Sequence, residues 1–238
     1  MMLNNPINHF NVNELRQVSL KAYMLRNLLP THLLESGREL IKGEGVYYSR
    51  AFDETKSIFI HIPKAAGTSV SNALYGGRQG HHTAIAMKKA NPRKFKEYYK
   101  FSIVRNPWDR IASTYHYLLK SPHQEDRKWA EANIAKYDSF EKFVMHWLST
   151  ESVYTWKHLL PQTFFLNDKK ERLIPDVFKL ENLNESFEVI KTKVNSSATL
   201  KHDNKVARVH YSELYTPQMI KHVRSVYRSD VDEFQYEF

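Results

Sequence analysis

Apolar positions along the chain fall into two periods. Leu15, Val18, Ala22, Leu25 and Leu29 recur at helical spacing and predict a helix over Asn11–Leu29. Asn11 and Glu14 resemble a capping box at its start, and Pro30 ends it. Gly37, Gly43 and Gly45 mark a loop. Ser57–Ile62 is a short run holding three isoleucines and a Phe, which reads as a buried strand closed by Pro63. Gly67–Leu74 reads as a helix start, and Gly76–His82 as a loop with three glycines. Thr83–Tyr99 is helical with a break near Pro92, and Phe101–Val104 is a second buried strand.

Trp108–Leu119 then predicts a helix that sets Trp108, Ile111, Ala112, Tyr115 and Leu118 or Leu119 on one side. Further helices are expected over Lys128–Lys136 and Ser139–Ser149, and a strand over Val177–Leu180. Leu183–Val194 has a stripe of Leu183, Phe187, Ile190 and Val194. Asn195–His210 is polar and reads as a loop. Thr216 caps, and Pro217 opens, a last helix through Met219, Ile220, Val223 and Val226. Strands alternating with helices predict an α/β fold with a mainly parallel sheet. There is no internal repeat and no clear linker. The expectation is one domain over residues 57–238, with residues 1–56 as a helical extension packed on it.

Composition narrows the function. The chain has 238 residues and is 42% hydrophobic, enough for a sizeable core. It has no Cys, which excludes disulfides, Cys–zinc sites and a Cys nucleophile. No run of 18 apolar residues suggests a membrane span. The polar, Asn-rich start does not read as a secretory signal, so the cytoplasm is the expected compartment. The formal charge of +9 points to an anionic partner: a nucleic acid, a membrane surface, or a phosphorylated or sulfated small molecule. Lys88–Arg110 concentrates it, with eight basic residues against Glu97 and Asp109. A solvated helix face explains its lysines equally well.

Two stretches carry candidate chemistry. In the first, the Ser57–Ile62 strand delivers the chain to Pro63-Lys64-Ala65-Ala66-Gly67-Thr68-Ser69. Small residues let the backbone approach a ligand, and N–H groups at a helix start attract an anion. Lys64 adds a point charge, and Thr68 and Ser69 add hydroxyls. An ordinary strand–turn–helix connection is the competing reading. A Walker A loop is a poor match, because its Lys stands directly before Ser/Thr whereas Lys64 stands three positions before Gly67. In the second, Arg105 follows the Phe101–Val104 strand, where open α/β sheets bind ligands. Its guanidinium can grip a phosphate through paired hydrogen bonds, or form an ion pair with Asp109.

Phe59–Ser69 resembles the 5′-phosphosulfate loop of the sulfotransferases, in the carbohydrate branch with a His-Ile-Pro-Lys-x-x-Gly-Thr-Ser signature. Phe101–Arg110 and its continuation to Tyr115 resemble that branch's 3′-phosphate motif. Pro161-Gln162, Lys179–Leu183 and Tyr215-Thr216-Pro217 are similar too. The branch includes the heparan sulfate 2-O- and chondroitin 4-sulfotransferase types. The resemblance spans roughly residues 57–236 and implies a P-loop-NTPase-like three-layer fold. It implies 3′-phosphoadenosine 5′-phosphosulfate as donor, no metal, and a carbohydrate or related hydroxyl as acceptor. It assigns the 5′ side of the donor to Lys64, Ala66, Gly67, Thr68 and Ser69, and the 3′-phosphate to Arg105 and Ser113. Lys64 would stabilise the leaving phosphate.

The resemblance also puts a His base just after the first helix. His81 is preferred for its spacing to Thr83, with His82 close behind. Two exposed loop histidines are the competing reading. His61 is expected to be buried at the strand end, and Trp108 and Arg110 to serve packing and orientation. Glu181 either orients a site group or caps a helix. His158 and Gln162 are weaker candidates for acceptor contacts. A P-loop-type kinase and a basic nucleic-acid binder remain as alternatives, the second without a recognisable motif. Peripheral membrane contact and oligomeric state stay open.

Overall fold

A computed structural model describes residues 47–169, 171–200 and 209–238. The expected Asn11–Leu29 helix lies outside them, as do most of the 1–56 extension and residues 201–208 of the Asn195–His210 loop. Of the extension, α1 (Arg50–Thr55) is described; Ser49 caps it, and Phe52 and the preceding Tyr48 are buried.

Strand β1 (Ser57–Ile60) leads to helix α2 (Gly67–Tyr75), then α3 (Ala84–Ala90) and α4 (Pro92–Glu97). Thr83 and Asn91 cap α3 and α4, and Pro92 takes the first position of α4, where its missing N–H costs nothing. Strand β2 (Tyr99–Val104) feeds α5 (Pro107–Leu119), and α6 (Gln124–Asn133) follows. One turn, α7 (Phe140–Lys142), widens into a π-helix over Phe143–Trp147, and α8 (Gln162–Leu166) comes next. A small hairpin, β3 (Asn167–Asp168) and β4 (Glu171–Arg172), precedes β5 (Asp176–Lys179) and α9 (Leu183–Lys193). Helices α10 (Pro217–Val226) and α11 (Arg228–Phe234) complete the described chain.

The sheet is parallel, in the order β1–β2–β5. Every residue of β1 is buried, as are Phe101–Val104 of β2, which explains their unbroken apolar runs. Ser102 sits in the central strand, and its hydroxyl donates to Ile60 O at 2.7 Å, so this buried polar group is satisfied. The flanking helices complete a three-layer α/β arrangement. On α5 the expected face is buried at Trp108, Ile111, Ala112, Tyr115 and Leu118, whereas Leu119 is exposed.

Several boundaries differ from the sequence expectation. β1 stops at Ile60, where its pairing with Ser102 ends, and the next carbonyl, that of His61, bonds His81 instead. Helix α6 begins four residues before Lys128, because its polar first turn carries Glu125 and Asp126, charges that suit a helix N-terminus. The segment expected as one helix over Ser139–Ser149 switches to i+5 bonding, with Leu148 N–H reaching Phe143 O at 3.2 Å. An apolar stripe does not separate i+4 from i+5 closure. Helix α11 was not expected. Its buried Asp230 accepts the Gln162 and Thr163 N–H groups at 2.8 and 2.9 Å, capping α8 across the fold.

Candidate functional site

The carboxyl ends of the three parallel strands meet at one edge. β1 delivers the Pro63–Ser69 loop, β2 delivers Arg105, and β5 delivers Glu181. Two non-glycine residues of the loop hold left-handed backbone, Lys64 at φ 67° and Ala66 at φ 56°. Each costs about 1–3 kcal/mol, a strain typical of ligand loops. The first ladder bond of α2 runs from Val70 N–H to Ala66 O. The N–H groups of Gly67, Thr68 and Ser69 therefore precede the helix's own ladder and lie at its positive end.

Gly67 is required for space, since its φ is unremarkable. A Cβ here would overlap the imidazole of His61, which packs beneath the loop. His61 is buried, and Nδ1 donates to Gln79 O at 2.9 Å. Burial first, and then the neighbouring His81, lower its pKa to about 3. It is a neutral structural histidine, as expected.

The 3′-phosphate candidates lie beside the loop. Arg105 grips Asp109 through Nε and Nη2, both at 2.7 Å, and Nη1 donates to Lys64 O at 3.0 Å. The ion-pair reading of Arg105 is thus realised, and the same guanidinium pins the loop. Three of the five guanidinium N–H donors are used in these bonds. Ser113 is buried on α5, one turn beyond Asp109 on the same face. Gln162, suggested for acceptor contact, is fully buried: it accepts Arg105 N–H and donates to Arg105 O, both at 2.9 Å. It orients Arg105. Glu181 accepts Asn106 N–H at 2.8 Å and the Tyr236 hydroxyl at 3.0 Å, and no side chain caps the helix that follows it.

Arg110 is a buried strut. Its guanidinium donates to the carbonyls of Pro63, Leu160 and His158 at 3.0, 2.9 and 3.2 Å. It ties the loop to the 158–160 segment. Trp108 packs in the core and donates Nε1–H to Ile220 O at 3.1 Å.

Beside this edge opens a cleft of about 390 Å³ lined by Arg78, His81, Tyr117, Asp126, Lys157 and His158, among others. His81 Nδ1 lies 2.8 Å from His61 O. A carbonyl only accepts, so Nδ1 carries the proton and Nε2 keeps its lone pair. Burial lowers the His81 pKa, Lys157, Arg78 and Arg110 add to this, and the His61 hydrogen bond opposes it. Its ring centroid lies 6.0 Å from that of His158. The Lys64 ammonium sits 4.2 Å from the Tyr117 ring centroid, at the border of the cleft.

His158 is buried against Asp126, with Nε2 3.4 Å from Oδ1, outside hydrogen-bond geometry. Neither of its ring nitrogens has a hydrogen-bond partner among the described residues. Burial holds it in the neutral form, while Asp126 pulls the other way. Burial pushes the Asp126 carboxyl up, but the Tyr117 hydroxyl, His158 and Lys157 reverse this and hold it below the usual range.

His82 stands apart from its neighbour. It lines a separate cleft of about 160 Å³ with Tyr47, Arg78 and Met87, and its ring lies 4.8 Å from that of Tyr47. The chain therefore brings His81 into the cleft and the Lys64 ammonium to its border against Tyr117, and turns His82 to the other cleft. Tyr117, Asp126, Arg78 and Lys157 escaped the sequence reading, since they share no motif. Among the described residues no group of three or more His, Asp or Glu stands where it could hold a metal ion, and no helix is long and apolar enough to cross a membrane.

Comparison with known proteins gives one family. The model of the Sulfotransferase family matches residues 49–237. Searches of curated proteins and of solved structures return no match. The match covers most of the chain, including both strand-end motifs and the cleft, and the chain belongs to the sulfotransferase family, the transferases that move sulfuryl groups.

Proposed function

We propose that this protein transfers a sulfuryl group from 3′-phosphoadenosine 5′-phosphosulfate to a hydroxyl of a carbohydrate or related acceptor. The carrying observation is the meeting of Lys64, Arg105 and the α2 N-terminus at one sheet edge, beside a cleft that holds His81. The donor supplies an activated sulfuryl group. The chain's residues suit its anionic ends: helix N–H groups and Lys64 for the 5′ side, Arg105 and Ser113 for the 3′-phosphate.

His81 Nε2 takes the acceptor proton as the acceptor oxygen bonds to sulfur. The sulfur–oxygen bond to the phosphate breaks, and Lys64 offsets the charge that develops on the leaving oxygen. The neutral His81 holds its lone pair ready at neutral pH, and its bond to the His61 carbonyl fixes the tautomer. His82 faces another cleft and takes no part.

The test is transfer of ³⁵S-sulfate from labelled donor onto a panel of hydroxyl acceptors. His81→Ala is expected to lose about 10²–10⁴ in turnover. His82→Ala is expected to stay near the parent rate. Equal retention of full turnover by both variants sinks the base assignment.

A further inference from the structure

Tyr117 was in no motif, yet it touches both halves of the site. Its ring lies under the Lys64 ammonium at 4.2 Å. Its hydroxyl donates to Asp126 Oδ2 at 2.9 Å. Its ring also lies 5.0 Å from that of His158, which in turn faces His81.

Lysine is a compact charge on a flexible four-carbon stem, so its backbone position does not fix its ammonium. The backbone of Lys64 is fixed, by its left-handed conformation and by the Arg105 bond to its carbonyl. The side chain needs a separate guide. An aromatic face supplies one, because its negative quadrupole attracts a cation without neutralising it as a carboxylate would.

The guide must itself be rigid. Tyr117 sits on the last turns of α5, and its hydroxyl is anchored on Asp126. That carboxylate is 1% exposed and also accepts the Ser121 hydroxyl and the Trp156 indole N–H, both at 3.2 Å. Three neutral donors thus fix a buried anion, and the anion fixes the ring. Burial keeps the phenol protonated, as a donor should be.

We infer that Tyr117, anchored by Asp126, is the positioning residue that sets the Lys64 ammonium for sulfuryl transfer. The inference rests on the sulfuryl-transfer reading above. It extends the reacting site from the strand ends to the last turns of α5 and to α6, beyond the 3′-phosphate motif.

Tyr117→Phe keeps the ring and loses the anchor, whereas Tyr117→Met keeps much of the volume and loses the ring face. With saturating donor and acceptor, Tyr117→Met is expected to lose about 10²-fold in kcat, the scale of a displaced catalytic group, with little change in donor KM. Tyr117→Phe is expected to fall between the parent and Tyr117→Met, because the ring face remains while its anchor on Asp126 is lost. Affinity for 3′-phosphoadenosine 5′-phosphate, read by calorimetry, is expected to hold in both, which also shows that both fold. Full turnover by Tyr117→Met overturns the inference, as does a Tyr117→Phe variant as slow as Tyr117→Met. Should Met fail to bind that nucleotide, Tyr117→Leu repeats the comparison against Phe. A parent protein that transfers sulfate to no acceptor overturns the sulfuryl-transfer reading instead.

Discussion

The strand-end edge and the neighbouring cleft are built by different means. At the edge, binding capacity comes from the backbone: a strained loop, a helix N-terminus, and carbonyls gripped by Arg105 and Arg110. In the cleft it comes from side chains gathered from distant segments, namely Arg78 and His81, Tyr117 and Asp126, and Lys157 and His158. Backbone sites need small residues and a fixed order along the chain. Side-chain sites need only that packing bring the right groups together. The edge therefore leaves a signature in sequence, while the cleft leaves almost none.

Arg110 is where the two regions join, and breaking it is expected to have the largest effect. Arg110→Met leaves three carbonyls, two of them in fully buried contacts, without their charged donor, in the loop and in the cleft wall at once. Charge-assisted bonds contribute about 1.5–3 kcal/mol each, partly offset by the cost of burying the guanidinium. The expected loss is about 3–5 kcal/mol in chemical denaturation. Arg105→Met is the control. Its partner Asp109 is 28% exposed, so the expected cost to folding is about 1 kcal/mol or less. Equal destabilisation by the two would remove the distinction between strut and ligand grip.

How much of this was legible follows the same division. The strand before Pro63, the helix after Gly67 and the strand-end position of Arg105 were all readable, because turn chemistry and capping act locally. His81 was readable by its spacing after α2. Its separation from His82 was not, since adjacent loop residues can face either way. The role of Gln162 was hidden, because a clamp on Arg105 depends on a contact 57 residues away in sequence. Asp126 and Tyr117 were hidden for the same reason, as was helix α11, whose Asp230 caps α8 across the fold. The π-turn at Phe143–Trp147 has an apolar pattern that also fits an ordinary helix.

A second prediction sharpens the edge. Arg105→Ala is expected to weaken 3′-phosphoadenosine 5′-phosphate by about 1.5–3 kcal/mol, the scale of a lost charged hydrogen bond. It should leave 5′-AMP, which lacks the second phosphate, nearly unchanged. Calorimetry with both nucleotides is the check. Equal weakening of the two would mean that Arg105 acts only by bracing the Lys64 carbonyl.

A last test concerns the buried histidines of the loop and the cleft. His61, His81 and His158 all have folded-state pKa values below the ordinary 6.5, with burial as the leading cause. A lowered histidine pKa means that the unfolded chain binds more protons than the folded one once the pH falls below about 6.5. Stability is thus at its plateau above that pH and falls as the solution is acidified. For His61 the fall continues to about pH 3, where the folded imidazole itself takes a proton. Each such group contributes a slope of up to about 1.4 kcal/mol per pH unit. Urea denaturation at pH 7.5, 6 and 5 is expected to show this decline, and His61→Gln is expected to flatten it. The decline belongs to the buried imidazoles of His61, His81 and His158. A flat profile between pH 7.5 and 5 would mean that these imidazoles are open to water, and would remove the buried, neutral character that fits His81 to accept a proton.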